Sequence, residues 1–385
     1  MKRVFLIVLD SLGIGHAPDV KEFSDQGANT LKSISYSNVF KVDTLKRLGL
    51  GNIDTVDYID DVKLKNTSVA RLVELSNGKD TTTGHWEMAG IISEKPFPTY
   101  PNGFDESIID EFVKRTGRNV ICNKVYSGTE VIKDYAKEQE KTGALIVYTS
   151  ADSVFQIAAH EDVVAPEQLY EYCKIAREIL VGKDAVGREI ARPFAGEFPY
   201  HRTANRHDFS LDPTGKTMLD KLSESSKSVI AVGKIKDIFN SKGITEFVYT
   251  KDNADGMAKT DEFLEKDFTG LCFVNLVDFD MVYGHRRDVD GYANALAEFD
   301  EWLGSFLEKT KEDDCVIITA DHGCDPKYLG TDHTRESVPL IIYSKSFVAN
   351  NFGTLYGFDT IADTVCDLLE VDFDGNKKSL KGNLI

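Results

Sequence analysis

The stretch CVIITADHGCDPKYLGTDHTRE, residues 315–336, decides how the rest of the chain is read. An apolar, β-branched run stops abruptly on Asp321, and one short segment then supplies two Asp-His pairs, Asp321-His322 and Asp332-His333. Continuous rather than alternating hydrophobicity marks a strand covered on both faces, as in a parallel sheet flanked by helices. Runs of the same kind recur as VFLIVL (4–9), LIVYT (145–149), VIAVG (229–233), LCFVNLV (271–277) and VPLIIY (338–343). Between them the apolar residues take a helical period. Leu169, Tyr172, Cys173, Ala176, Ile179 and Leu180 form one such stripe, and Tyr292, Leu296, Phe299, Leu303 and Phe306 another. Both are stripes of core packing. Alternating strands and helices predict an α/β fold with a mostly parallel sheet.

At 385 residues the chain is too long for one simple core, and its prolines mark two joints. Pro96, Pro98 and Pro101 crowd KPFPTYPNG, and DPTG follows at 212–215. The expected division is a core of 1–96 and 213–385 interrupted by a smaller inserted domain, 97–212. A net charge of −18 disfavours nucleic acid and anionic membrane as partners, since both reward a basic footprint. The apolar start at 4–9 is too short for a signal peptide's core and ends on Asp10, and no run approaches the ~20 apolar residues of a membrane span. Six scattered cysteines without a CxxC pair fit a reducing cytoplasm. No obligate protein partner is evident. A small anionic substrate fits if metal ions or a basic island supply the counter-charge.

Three core strands run into acid: Asp10, Asp278 with Asp280, and Asp321. Ligands of open α/β sheets bind outside the carboxyl ends of the strands. A lone Asp there is ordinarily a turn or helix-cap residue. His285, His322 and His333 change the balance. Two carboxylates about 4 Å apart repel by about 4 kcal/mol at an effective dielectric of about 20, so a converging acid cluster calls for cations. Mixed Asp and His ligands suit manganese, zinc or iron. Asp10, Asp280, His285, Asp321, His322 and His333 suffice for two ions, and paired ions are a standard device for phosphoryl transfer. In GKDTTTGHWEMAG, Thr81, Thr82 and Thr83 precede a helix start, where one would serve as cap and another as nucleophile. The inserted segment holds Arg188, Arg192, Arg202 and Arg206 with His201 and His207, a basic island suited to a sugar phosphate. GIGHAP fails as a dinucleotide fingerprint because Pro18 occupies the third glycine position, and there is no Walker A pattern.

Taken together, VLDSLGIG, GKDTTTGHWE, YTSADSVFQIAAHE, VNLVDFDMVYGHRRD and TADHGCDPKYLGTDHTRE resemble the bacterial phosphopentomutases (phosphodeoxyribomutases) of the alkaline phosphatase superfamily, over nearly the whole chain. The resemblance implies an alkaline-phosphatase-like core with an inserted α/β cap. It further implies interconversion of α-ribose 1-phosphate, or its 2-deoxy form, with the 5-phosphate. Two Mn²⁺ ions, a phosphothreonine and a bisphosphorylated sugar as activator belong to that picture. Carried over by position, Thr81 is the nucleophile. Asp280, His285 and His333 hold one ion; Asp10, Asp321, His322 and the Thr81 oxygen hold the other; Asp152, Arg188, Arg202 and Lys234 lie near substrate. Two positions depart from the family: Cys324 stands where asparagine is expected, and Thr82 replaces a bulkier residue. The alternatives are a metal-dependent phosphomonoesterase of the same superfamily, in which water resolves the phosphoenzyme, and a noncatalytic sugar-phosphate sensor, which needs no nucleophile.

Overall fold

In the computed structural model, which describes residues 1–150 and 153–385, the chain divides into two units: Met1–Lys95 with Pro213–Ile385, and Pro96–Asp212. The first joint falls one residue before the expected one. At the centre of the larger unit, strand Arg3–Leu9 lies between Gly270–Leu276 and Asp314–Thr319 and is parallel to both. Every residue of these three strands is buried, which is why their sequences are apolar without alternation. Outward on one side follow Ser228–Val232 and the edge strand Glu246–Val248, both parallel. On the other side come Val338–Tyr343 and Thr67–Val73, each antiparallel to its inner neighbour, and then Asn350–Tyr356, parallel to Thr67–Val73. Helix Val289–Lys309 buries Tyr292, Leu296, Phe299, Leu303 and Phe306, the stripe expected of it.

Register sets the position of the candidate site. Leu9 pairs with Leu276 and Val8 with Thr319, so the carboxyl ends of three adjacent strands are level and the acids that follow them must meet. At the opposite end of the sheet, Arg3 pairs with Asp314, and their side chains form a buried two-pronged ion pair, Nε to Oδ1 and Nη2 to Oδ2, both 2.7 Å. The guanidinium also donates from Nη1 to the carbonyls of Leu264 at 2.7 Å and Lys266 at 2.8 Å.

The smaller unit is a separate sheet, in the order Val120–Val125, Leu145–Thr149, Val154–His160, Arg188–Ala195 and His201–Arg202, with His207–Ser210 also pairing to Arg188–Ala195. Its strands alternate between two cores. Val147, Phe155, Ile157 and Ala191 pack with Phe112 and Leu169 of helices Glu106–Thr116 and Pro166–Ile179. Ile146, Tyr148, Ala158 and Phe194 pack with Val131, Ile132 and Ala136 of helix Glu130–Thr142.

Replacing Asp314 by alanine strands the buried Arg3 charge. The expected cost is about 3–5 kcal/mol of unfolding free energy, read from equilibrium urea denaturation. A loss below about 1 kcal/mol, the scale of an exposed pair, would show that the pair does not anchor the strand starts.

Candidate metal centre

Asp10 and Asp321 leave their strands fully buried. His322 sits between them, its Nε2 3.4 Å from Asp10 Oδ1 and 3.4 Å from Asp321 Oδ2. Each carboxylate commits one oxygen to the scaffold: Asp10 Oδ2 accepts from Asn275 Nδ2 at 2.9 Å, and Asp321 Oδ1 from the Ser11 N–H at 3.0 Å. The other oxygens, Asp10 Oδ1 and Asp321 Oδ2, are buried and accept no hydrogen bond among the described residues.

Asp278 and Asp280 take different roles. Asp278 does what a lone strand-end acid ordinarily does: it accepts from the Asn253 N–H at 2.8 Å while its own N–H donates to Asn253 Oδ1 at 3.0 Å. Asp280 enters a single π-helical turn, Phe279–Gly284, closed by the His285 N–H donating five residues back to the Asp280 carbonyl at 3.1 Å. In an α-helix five residues span about 1.4 turns and would put the two side chains on different faces. The wider turn brings them together, with Asp280 Oδ2 3.2 Å from His285 Nε2. His333 completes the group, its Nε2 3.3 Å from Asp280 Oδ1 and 3.0 Å from His285 Nε2. Single π-turns of this kind recur at functional sites.

Each imidazole is aimed by its other nitrogen. His285 Nδ1 donates to the Thr331 carbonyl at 2.6 Å, His322 Nδ1 to Gly323 at 3.0 Å and His333 Nδ1 to Lys79 at 2.9 Å. A carbonyl can only accept, so in the neutral imidazole each Nε2 carries the lone pair and faces the carboxylates, the tautomer a metal ligand needs. Charge in the cluster is unevenly borne. Burial, then repulsion from Asp321 and Asp280, pushes the Asp10 carboxyl well above the ordinary carboxylate range. Burial pushes Asp280 and Asp321 the same way but is outweighed, by His333 and His285 at Asp280 and by His322 and His85 at Asp321, so both are held low.

Thr81 is the first residue of helix Thr81–Met88, and its Oγ1 lies 3.3 Å from His322 Nε2. None of the three threonines caps the helix. Asp80 does, accepting from the Thr83 N–H at 3.0 Å and from Thr83 Oγ1 at 2.6 Å, so capping leaves the Thr81 hydroxyl uncommitted. Lys234 follows Ser228–Val232, and its charge partly offsets the rise at Asp10. Arg188 and Arg202 belong to the inserted unit, and Asp152 lies outside the described residues. Cys324 is closer to the cluster than its sequence position suggested: its Sγ, an Asp280 oxygen and a His285 nitrogen all fall within 4.8 Å of one another.

The donor set fits divalent cations. Asp10, Asp321 and His322 form one compact group, and Asp280, His322 and His333 another, each with its ligand atoms within 4.8 Å. Asp10 Oδ1, Asp280 Oδ1 and Asp321 Oδ2 are buried there without hydrogen bonds, and a buried anionic oxygen is costly unless paired.

Comparison with known proteins agrees. The metalloenzyme superfamily profile matches residues 2–373. The chain is 59% identical to a phosphopentomutase of Lachnoclostridium phytofermentans over 374 residues, 96% of each chain. It is 52% identical to a phosphopentomutase of Clostridium novyi, covering 97% of this chain and 96% of that one. The chain belongs to the phosphopentomutase family. It is therefore an enzyme of the metalloenzyme superfamily, with an α/β core whose clustered Asp and His side chains fit divalent metal.

Within this phosphopentomutase-family chain, the sequence reading passed over Glu336. The residue is fully buried, and burial pushes its carboxyl up to about 7. It accepts from the Gly15 N–H at 3.1 Å, the Thr30 N–H at 2.9 Å, Thr30 Oγ1 at 2.7 Å and Thr334 Oγ1 at 2.7 Å. It thus ties the loop after Asp10 to the loop carrying His322 and His333. Glycine is required on both sides of it: a Cβ at Gly13 would lie 2.3 Å from Glu336 Oε2, and one at Gly323 2.4 Å from Oε1. Arg335 braces the same loop, its Nη2 donating to Asp19 Oδ2 at 2.8 Å and to the Glu74 carbonyl at 2.9 Å.

Glu336→Ala leaves two buried backbone N–H groups unpaired, each worth about 1–3 kcal/mol. The expected outcome is a loss of about 2–4 kcal/mol in denaturant unfolding, together with weaker metal retention in equilibrium dialysis. Wild-type metal retention at reduced stability would limit Glu336 to a purely structural role.

Proposed function

We propose that the chain interconverts α-D-ribose 1-phosphate, or its 2-deoxy form, with the 5-phosphate through a phosphothreonine at Thr81 and a 1,5-bisphosphate intermediate. The observation that carries this reading is the placement of the Thr81 hydroxyl, free of capping duty, 3.3 Å from His322 Nε2 beside carboxylate oxygens without hydrogen bonds. The names of relatives 59% and 52% identical over nearly the whole chain support the substrate class. In this reading Asp280, His285 and His333 hold one Mn²⁺ ion, and Asp10, Asp321, His322 and Thr81 Oγ1 the other. Bound divalent cations supply charge neutralisation for a transferring phosphoryl group and lower the pKa of a nearby hydroxyl.

The chain's own residues do the rest. Phosphorylated Thr81 presents its phosphorus to the free hydroxyl of the pentose phosphate. The sugar oxygen forms the new P–O bond, the bond to Thr81 Oγ1 breaks, and the proton of the sugar hydroxyl ends on the departing Thr81 Oγ1, restoring its hydroxyl. The resulting bisphosphate returns its other phosphate to Thr81, so the enzyme ends as it began. A bisphosphorylated sugar would charge the unphosphorylated enzyme by the same step run backwards. Thr81 sits at the first position of a helix, where unpaired N–H groups and the dipole favour an anion. Lys234, Arg188, Arg202 and Asp152 are proposed to hold the substrate. Six unpaired cysteines support a reducing, cytoplasmic setting.

Phosphorus NMR of ribose 1-phosphate with the protein and Mn²⁺ is expected to show conversion to the 5-phosphate without accumulation of inorganic phosphate. Inorganic phosphate released at the turnover rate would replace the mutase with a phosphomonoesterase. Thr81→Ala is expected to reduce turnover by roughly 10⁴-fold, on the scale of nucleophile loss elsewhere. Retained turnover would remove Thr81 from the mechanism. Asp10→Asn is expected to lower bound metal from about two ions to about one per chain, measured by elemental analysis after dialysis. An unchanged count would contradict the ligand assignment.

A further inference from the structure

Cys324 lies against the metal cluster, and the ligand sets drawn above leave it out. Its backbone is fixed on two sides: the Cys324 N–H donates to the Ser11 carbonyl at 3.2 Å and to Thr30 Oγ1 at 3.1 Å. Its side chain packs on the last residue of the π-turn, since a Cβ at Gly284 would stand 2.9 Å from Cys324 Sγ and 3.0 Å from its Cβ. His285 is the next residue. The thiol is thus held two positions past His322 and against the turn that aims Asp280 and His285. Its Sγ, an Asp280 oxygen and a His285 nitrogen all lie within 4.8 Å of one another. A shared ion bridges separations of that order, with metal–sulfur bonds of about 2.3 Å and metal–nitrogen or metal–oxygen bonds of about 2.0–2.2 Å.

Two further observations point the sulfur at a cation. Asp280 is only 5% exposed, and its Oδ1 accepts no hydrogen bond among the described residues, so the carboxylate beside the sulfur is short of positive charge. The sulfur itself is barely committed. Its polar contact among the described residues is a weak S–H donation to the Asp332 carbonyl at 3.8 Å. The other cysteines are placed differently. Cys173, Cys272, Cys315 and Cys366 are buried within helices and strands, where a thiol packs as a small hydrophobe, and Cys122 is half-buried in strand Val120–Val125. None of these five joins a group of potential metal ligands among the described residues.

We propose that Cys324 is a further ligand of the ion held by Asp280, His285 and His333, and that its sulfur raises the preference of this position for Zn²⁺ over Mn²⁺. The proposal rests on the ligand assignment above and not on the mutase reaction. Carboxylate and imidazole serve both metals, whereas a thiolate is a soft donor that suits zinc. Coordination removes the thiol proton, which passes to solvent as the metal–sulfur bond forms. The test is spectroscopic. The full chain, stripped by a chelator and reloaded with Co²⁺, is expected to hold about two ions by elemental analysis and to show a near-ultraviolet sulfur-to-cobalt charge-transfer band. Cys324→Ala is expected to abolish the band, and Cys122→Ala to keep it. Cys324→Ser, which trades sulfur for a hard oxygen of similar size, is expected to lose the band while unfolding at the wild-type temperature, so that loss of sulfur is told apart from a disturbed fold. In dialysis against mixed Zn²⁺ and Mn²⁺, both Cys324 variants are expected to lower the zinc preference about 10-fold. Cobalt bound without the band, a band that survives in Cys324→Ala, or an unchanged zinc preference in both variants overturns the proposal and leaves the metal centre standing. A chain that takes up no cobalt removes the centre and the proposal together. The band without mutase turnover would sink the proposed reaction and leave the sulfur ligand in place.

Discussion

Everything in the larger unit is arranged around one unfavourable fact: three carboxylates, Asp10, Asp280 and Asp321, are buried together at the ends of adjacent strands. The closest-grouped two, Asp10 and Asp321, have ligand oxygens within 4.8 Å of each other, and two like charges about 4 Å apart cost about 4 kcal/mol at an effective dielectric of about 20, a large fraction of a domain's net stability. A fold keeps such an arrangement only if it can hold compensating charge in place. Here the compensation is prepared in advance. Each of the three imidazoles donates Nδ1–H to a backbone carbonyl and so cannot turn its Nε2 away from the acids. The rigidity has a functional consequence, because ligands that need not reorganise bind a cation more tightly and with less choice of geometry.

The loops that carry these groups come from distant parts of the chain, and buried polar bonds rather than apolar packing hold them in register. Glu336 is the centre of that network. Its two oxygens satisfy backbone N–H groups of the segment after the first strand and hydroxyls on both sides, while Thr30 Oγ1 and Thr334 Oγ1 accept in turn from the N–H groups of Cys324 and Asp325 at 3.1 and 3.2 Å. Small shifts there would move His322 and His333 relative to Asp10. The close approach of Gly13 and Gly323 to the Glu336 carboxylate explains why neither position has room for a side chain.

How far the sequence could be read follows from this division of labour. Asp10 and Asp321 were legible because each ends an unbroken apolar strand, and the parallel order of the central strands leaves such acids nowhere else to go. Asp280 was separable from Asp278 only through the π-turn, which has no hydrophobic period to announce it. Strands Thr67–Val73 and Asn350–Tyr356 carry Ser68, Arg71, Asn350 and Asn351 among their apolar residues, so they did not stand out as continuous runs. Glu336 was invisible for a different reason. An acid three residues past a histidine looks like ordinary loop polarity until tertiary structure removes it from water. Thr81 was singled out among three consecutive threonines by family likeness; in the structure the distinction is physical, since Asp80 takes the capping role and bonds Thr83.

The arginine-rich stretch of the insertion shows the same limit from the other side. Read as a string it is a basic island, and nothing in its composition separates exposed charge from a binding surface. Its structure is a strand, Arg188–Ala195, in which Ile190 shares a face with Arg188 and Arg192 while Glu189 and Ala191 face the other way. Two arginines four residues apart on a strand lie roughly 13 Å apart at their Cα atoms, here with Ile190 between them on the same face. A chain of net charge −18 thus keeps its buried strand-end acids and its arginine-bearing strand in separate units.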